Sequence, residues 1–171
     1  MIIGIDPGIT GAISFFSNHG RLLRVDDLPI MALGKKQQLN PSELTNIIGG
    51  AIEDPEFAEA GLSLNMGDYA NAAYLEKVGA MPGQGVSSMF NFGMGYGAIQ
   101  GVLAGLCVPL HLVTPQKWKK HHGLIGKDKD CARTLAQQLY PEASLARKKD
   151  IGRADAILIG DYGLRQKRLG A

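Results

Sequence analysis

Met1-Ile2-Ile3-Gly4-Ile5-Asp6-Pro7-Gly8, continued by Gly11-Ala12-Ile13-Ser14-Phe15-Phe16 and Arg21-Leu22-Leu23-Arg24-Val25, decides the fold class. Each apolar run has strand length, and each is closed by turn chemistry. Asp6-Pro7-Gly8 ends the first run, and Asn18-His19-Gly20 makes a hairpin turn between the second and third. Three strands this close together form a meander. A chain built from alternating strand and helix would not open in this way.

The later elements do alternate. Asn40 and Pro41 supply an N-cap and a first-turn proline for a helix over 41–48. Residues 53–68 are ambiguous and include a loop. A strand is predicted over 72–78, a flexible glycine-containing stretch over 81–88, a long helix over 88–106 and a strand over 110–113. Helices are predicted from Pro115, over 127–139 and over 152–167. The expected architecture is a single α/β domain over 1–171, a mixed β-sheet with helices on both faces.

Composition narrows the classes. The chain has 171 residues, with 45% hydrophobic and 20% charged, enough for one soluble domain with a real core. The net charge of +2 does not by itself announce a nucleic-acid binder. Cys107 and Cys131 form no CxxC pair, which argues against a zinc ribbon or a disulfide framework and predicts reduced, partly buried thiols. No basic region precedes an apolar stretch at the N-terminus, so no secretory signal is expected. From Val78 to Gln116 there is no Asp, Glu, Lys or Arg, but prolines and amides interrupt the run. A buried helix followed by a buried strand accounts for it better than a membrane span.

Three acids stand inside apolar segments. Asp6 ends the first strand, Glu76 interrupts the strand around Tyr74-Leu75, and Asp155 lies in Ala154-Asp155-Ala156-Ile157-Leu158. A buried carboxylate needs a compensating partner. Three on separate elements suggest convergence on a divalent cation, with hard oxygen donors suiting Mg²⁺, or Mn²⁺ in its place. Each acid alone also admits a bland role as turn former, edge position or local cap.

Taken in order, these motifs resemble those of the RuvC-type Holliday-junction resolvases of the ribonuclease H-like superfamily. Gly4-Ile5-Asp6-Pro7-Gly8 with Gly11 is similar to the family's first motif, Leu75-Glu76-Lys77-Val78 to its second, and Gly152-Arg153-Ala154-Asp155-Ala156 to its C-terminal motif. Met81 to Gly93 and Val113 to Lys120 resemble phage and prophage members in particular. The first motif alone also occurs in actin-like kinases, which need a second lobe that this length hardly supplies. The resemblance implies a ribonuclease H-like fold, a four-acid site holding two Mg²⁺, phosphodiester cleavage in four-way or branched DNA, a homodimer and a bacterial cytoplasmic setting, or that of a phage host. Other substrates of the same fold, and a junction-binding protein with a degenerate site, remain open as alternatives.

One position departs from the pattern. Three residues before the final Asp the family commonly has an acid or histidine, and here stands Gly152. Asp150 is the nearest acid, but five residues back lies roughly 140° away around a helix. It is expected as the fourth ligand only if it precedes the helix. Otherwise it is an N-cap with Arg153 nearby. His121, His122 and Asp161 are further candidates, none preferred.

Positive charge gathers late in the chain, and Lys117, Lys119, Lys120, Lys148, Lys149 and Arg153 are the expected phosphate contacts. Trp118 reads as a core anchor before a base-stacking residue. Phe90 reads either as core packing of the helix start or as a wedge at a branch point. Gly93, Gly97, Gly101 and Gly105 recur every four residues, and glycine costs about 1 kcal/mol each against alanine in a helix. They call for a close backbone neighbour, either the protein's own sheet or a second subunit.

Overall fold

In a computed structural model, which describes residues 1–34, 36–54, 57, 71–79, 83 and 85–168, the opening meander forms as expected. Strands β1 (Ile2–Asp6), β2 (Ala12–Phe16) and β3 (Leu22–Asp27) pair antiparallel in sequence. β6 (Ala72–Glu76) then lies parallel to β1, and β7 (Leu110–Val113) parallel to β6. The five-stranded order is β3-β2-β1-β6-β7, a mixed sheet with β1 at its centre. A separate hairpin, β4 (Ile30–Leu33) with β5 (Lys36–Leu39), stands outside this sheet.

Helices cover both faces. They are α1 (Pro41–Glu53), α2 (Val86–Gly105), α3 (Pro115–His121), α4 (Lys129–Leu139) and α5 (Ile151–Arg168), with a 3₁₀ turn at Lys148–Asp150. Strand alternation sorts the core. Ile2 packs with Phe16, Tyr74, Trp118 and Ile157 on the α5 side, whereas Ile3 and Ile5 pack with Phe15, Leu44, Ile48 and Leu103 on the α1–α2 side. Asn40 caps α1 by accepting from the Glu43 amide at 3.2 Å, as its side chain and position predict.

The contact that matters most is between α5 and β1. Gly4 shares a face with Ile2 and Asp6, and a Cβ there would overlap the Ala156 carbonyl oxygen and the Gly160 amide nitrogen. Bare backbone on the strand lets the helix backbone lie directly on it. Ser14 Oγ fastens the seam by donating to the Ala156 carbonyl at 2.8 Å. Depth is thus set one residue from Asp155 and two from Asp6.

Several expectations are corrected. The charge-free segment is not a buried helix and strand: of the α2 residues only Ile99 and Leu103 are buried, and of the β7 residues only Val113, with Leu112 45% exposed. β7 is an edge strand, and α2 lays only a narrow stripe on the sheet. Gly93, Gly97, Gly101 and Gly105 do not pack against the protein's own sheet, since a Cβ on any of them would meet nothing within 4 Å. Cys107 is exposed, at a left-handed φ of 54°, and Cys131 is partly buried; both are free. The β4–β5 hairpin was invisible because its short strands carry no buried alternation. The reading of 53–68 lies largely outside the described residues, as does the first part of the flexible stretch expected over 81–88, whose last residues, from Val86, already belong to α2.

Gly4→Ala is expected to lower stability by about 1–3 kcal/mol through overpacking against α5. Gly50→Ala, on an exposed stretch of α1 where a Cβ meets nothing within 4 Å, is expected to raise it by up to about 1 kcal/mol. Urea denaturation midpoints of the two variants should therefore move in opposite directions.

Candidate active site

β1 and β6 run parallel and end on Asp6 and Glu76, so both acids emerge at the carboxyl edge of adjacent strands. α5 brings Asp155 to the same place. The three carboxylates feel one another. Burial, and then the charge of Glu76, pushes the Asp6 carboxyl up from 3.8 to about 6. Burial, and then the charge of Asp6, pushes Asp155 up from 3.8 to about 7, with Glu76 adding to the effect. Lys119 and Lys129 pull both back toward ionisation without pairing directly with either. Among the described residues none of the three acids forms an ion pair.

Glu76 is held differently. The indole of Trp118, fully buried on α3, donates from Nε1 to Glu76 Oε1 at 2.9 Å. Trp118 is therefore a core anchor, as expected, and it also aims an acid. That second role carried no sequence signal, because 42 residues separate the partners. Lys119 lies over the same indole ring at 5.2 Å from its centroid.

Asp150 precedes α5, within the 3₁₀ turn, and its side chain is buried. Its Oδ1 accepts from Arg147 Nε and Nη2 at 2.9 and 2.6 Å, and its Oδ2 from the Arg147 amide at 2.8 Å. Those bonds hold the Asp150 carboxyl below its ordinary range. Both oxygens are thus engaged in a reciprocal cap, away from the mutual repulsion that links the other three.

Gly152 has a spatial reason. A Cβ there would overlap the Thr10 carbonyl oxygen and stand 3.2 Å from Asp6 Oδ2. The loop after β1 closes onto the first turn of α5 and leaves no room for a ligand side chain at this position.

The expected phosphate contacts are only partly grouped. Lys119 reaches the acids electrostatically, as does Lys129, which was not among the expected contacts. Lys117, Lys120, Lys148 and Lys149 are exposed. Arg153 is committed to Asp27 at 2.5 Å. Phe90 is 68% exposed near the start of α2, so core packing does not explain it. Beside it, an open groove of about 660 Å³ runs past Ile9, Lys36, Gln37, Met89 and Phe92.

Two comparisons bear on this arrangement. The fold matches Thermus thermophilus RuvC in complex with a Holliday junction substrate with a TM-score of 0.61 at 15% identity, covering 99% of this chain and 96% of that one. A second Thermus thermophilus RuvC structure matches at 0.53 and 16% identity, with the same coverage. The architecture is therefore the ribonuclease H-like fold of RuvC. In sequence, the chain is 34% identical over 94 residues to the chloroplastic Holliday junction resolvase MOC1 of Chlamydomonas reinhardtii. The match takes in 53% of this chain and 11% of the relative's length. No protein-family model matches the chain.

The raised carboxyls give a pH prediction with a definite sign. A raised folded-state value contributes stability that is complete below about pH 4 and is lost as pH rises through about 7. Asp155→Asn removes that loss. The metal-free variant should melt at nearly the wild-type temperature at pH 4 and above it at pH 8, by roughly 2–4 °C for each kcal/mol relieved. Differential scanning calorimetry in chelator checks this, and an equal difference at both pH values would contradict it.

Proposed function

We propose that the chain is a divalent-metal-dependent endonuclease that cuts four-way or branched DNA by phosphodiester hydrolysis. The observation that carries this reading is the gathering of Asp6, Glu76 and Asp155, unpaired with any cation among the described residues, at the carboxyl edge of two parallel strands. The likeness to a resolvase in sequence and to RuvC in fold supports the substrate class.

The donor set suits the metal. Three half-buried carboxylates that repel one another gain most from a hard divalent cation, Mg²⁺ with Mn²⁺ as a substitute. Bound there, the metal would supply activation of a water and neutralisation of charge on the phosphate. The chain's own residues do the rest. Trp118 fixes the Glu76 oxygen, the Gly4 contact fixes the height of Asp155, and Lys119 and Lys129 attract the scissile phosphate. Asp150, expected as a fourth ligand, is better suited by its hydrogen bonds to hold the start of α5.

Lys117, Lys120, Lys148 and Lys149 would follow the DNA backbone, with Arg153 joining if released from Asp27. Phe90 would act as an apolar wedge, unstacking bases at a cost of a few kcal/mol. A homodimer through the exposed glycine row of α2 would offer two matched sites to a junction with two strands to cut. A junction-binding protein without cleavage is the second reading, favoured by the lack of room for a ligand at Gly152.

A synthetic four-way junction separates these readings. Wild type should cut it in Mg²⁺ or Mn²⁺, and Asp6→Asn should bind it but cut about 10²–10³-fold more slowly, the scale of losing a preorganised group at the reacting centre. Binding without cutting by the wild type supports the second reading. Cutting by Asp6→Asn rejects the site assignment. Asp150→Asn should keep cleavage within about tenfold of wild type while lowering the melting temperature, as for loss of a cap.

A further inference from the structure

His121, His122 and Asp161 form a second group of potential ligands, separate from the three carboxylates. His121 ends α3, His122 follows it, and Asp161 lies on α5 six residues beyond Asp155. One donor atom from each comes within 4.8 Å of the others. We infer that this cluster is a binding site for a borderline transition-metal ion of the zinc class, pinning α3 to α5.

The donors decide the class of ion. Two imidazoles and one carboxylate match the ligand set of Zn²⁺ and its neighbours, whereas Mg²⁺ prefers oxygen throughout. Around a tetrahedral ion with bonds near 2.0–2.1 Å, donor atoms stand about 3.4 Å apart. His122 Nε2 lies 3.8 Å from Asp161 Oδ2 and 2.9 Å from the Leu158 carbonyl oxygen, distances that bracket this value. Without an ion, Nε2 donates its proton to that carbonyl. With one, the neutral ring carries the proton on Nδ1 instead, and the carbonyl is placed to serve as a further oxygen donor.

The surroundings resemble a prepared outer shell. Tyr140 donates its hydroxyl to Asp161 Oδ1 at 2.7 Å, and Arg165 Nε donates to Oδ2 at 2.8 Å. These bonds fix the carboxylate, as outer-shell partners commonly do for metal ligands. Arg165 opposes a cation by its charge, but its side chain is half exposed and a carboxylate oxygen has a second lone pair to offer. The His122 side chain is itself buried against Asp161, which holds its ring facing the carboxylate. His121 is the exposed member. Its exposed ring meets that of His122 edge-on at 4.9 Å and provides the entry path.

An ion here would act on the nuclease centre by position. α3 also carries Trp118, which holds Glu76. Clamping the end of α3 to α5 would tie that hydrogen bond to the helix bearing Asp155. The binding inference itself stands on the cluster alone and does not need the cleavage reading.

The test is zinc titration of the full-length, metal-free protein by calorimetry, in the presence of excess Mg²⁺ to occupy hard-ligand sites. Co²⁺ serves as the spectroscopic probe of nitrogen ligation. The wild type should bind one Zn²⁺ per chain at this site and give a Co²⁺ visible spectrum of low-coordinate, imidazole-containing type. His121→Ala, at an exposed position, should weaken that affinity by at least about tenfold and alter the spectrum. Asp155→Asn should leave both unchanged. Absence of a magnesium-resistant zinc site overturns the inference. So does zinc binding that survives in a His121→Ala/His122→Gln double variant, or zinc binding lost in Asp155→Asn.

Discussion

The approach of α5 to β1 is the constraint on which the rest depends. A helix and a strand meet through backbone at Gly4, and Ser14 ties the Ala156 carbonyl into the seam. That depth carries Asp155 into the neighbourhood of Asp6, where burial and like charge act against both. A sheet gaining only packing from this helix could tolerate a larger residue at position 4 and a greater separation. Close packing here has an electrostatic cost, and a bound divalent cation is what would offset it.

Around that seam, the remaining parts act on orientation. The parallel pairing of β1 and β6 aligns the ends of two acid-bearing strands. Trp118 fills the core and donates to Glu76, so hydrophobic burial and the direction of a carboxylate depend on one side chain. The loop after β1 closes over Gly152, removing the space in which a fourth acid would stand and drawing the first turn of α5 tight against Asp6. Asp150 then stabilises the approach to that turn through Arg147. Two acids five residues apart thus serve different ends, one exposed to repulsion and one satisfied by an arginine.

Much of this was legible in the chain, and the divisions have physical causes. β1, β2 and β6 were readable because their apolar runs are buried, and β3, only half-buried, because the Asn18-His19-Gly20 turn sets it off. The three central acids were readable because a charge inside an apolar run is anomalous. The β4–β5 hairpin was not, since exposed strands of four residues lack the burial that imposes alternation. The α2 glycines showed their period but not their surroundings, because spacing records a face and says nothing of what covers it. Asp150 was ambiguous for a related reason. Spacing gave its angle around a helix, whereas its role turns on Arg147, whose bidentate geometry no periodicity encodes. Trp118 with Glu76, and His121 and His122 with Asp161, are long-range meetings that only the folded topology creates.

The most direct measurement is carboxyl-detected NMR titration of Asp6 and Asp155 in the metal-free protein, repeated in saturating Mg²⁺. The account predicts midpoints near 6 and 7 without metal, both falling by more than a unit when Mg²⁺ is present. Midpoints near the ordinary aspartate value of about 4, unmoved by Mg²⁺, would mean that these acids neither crowd one another nor hold a cation together.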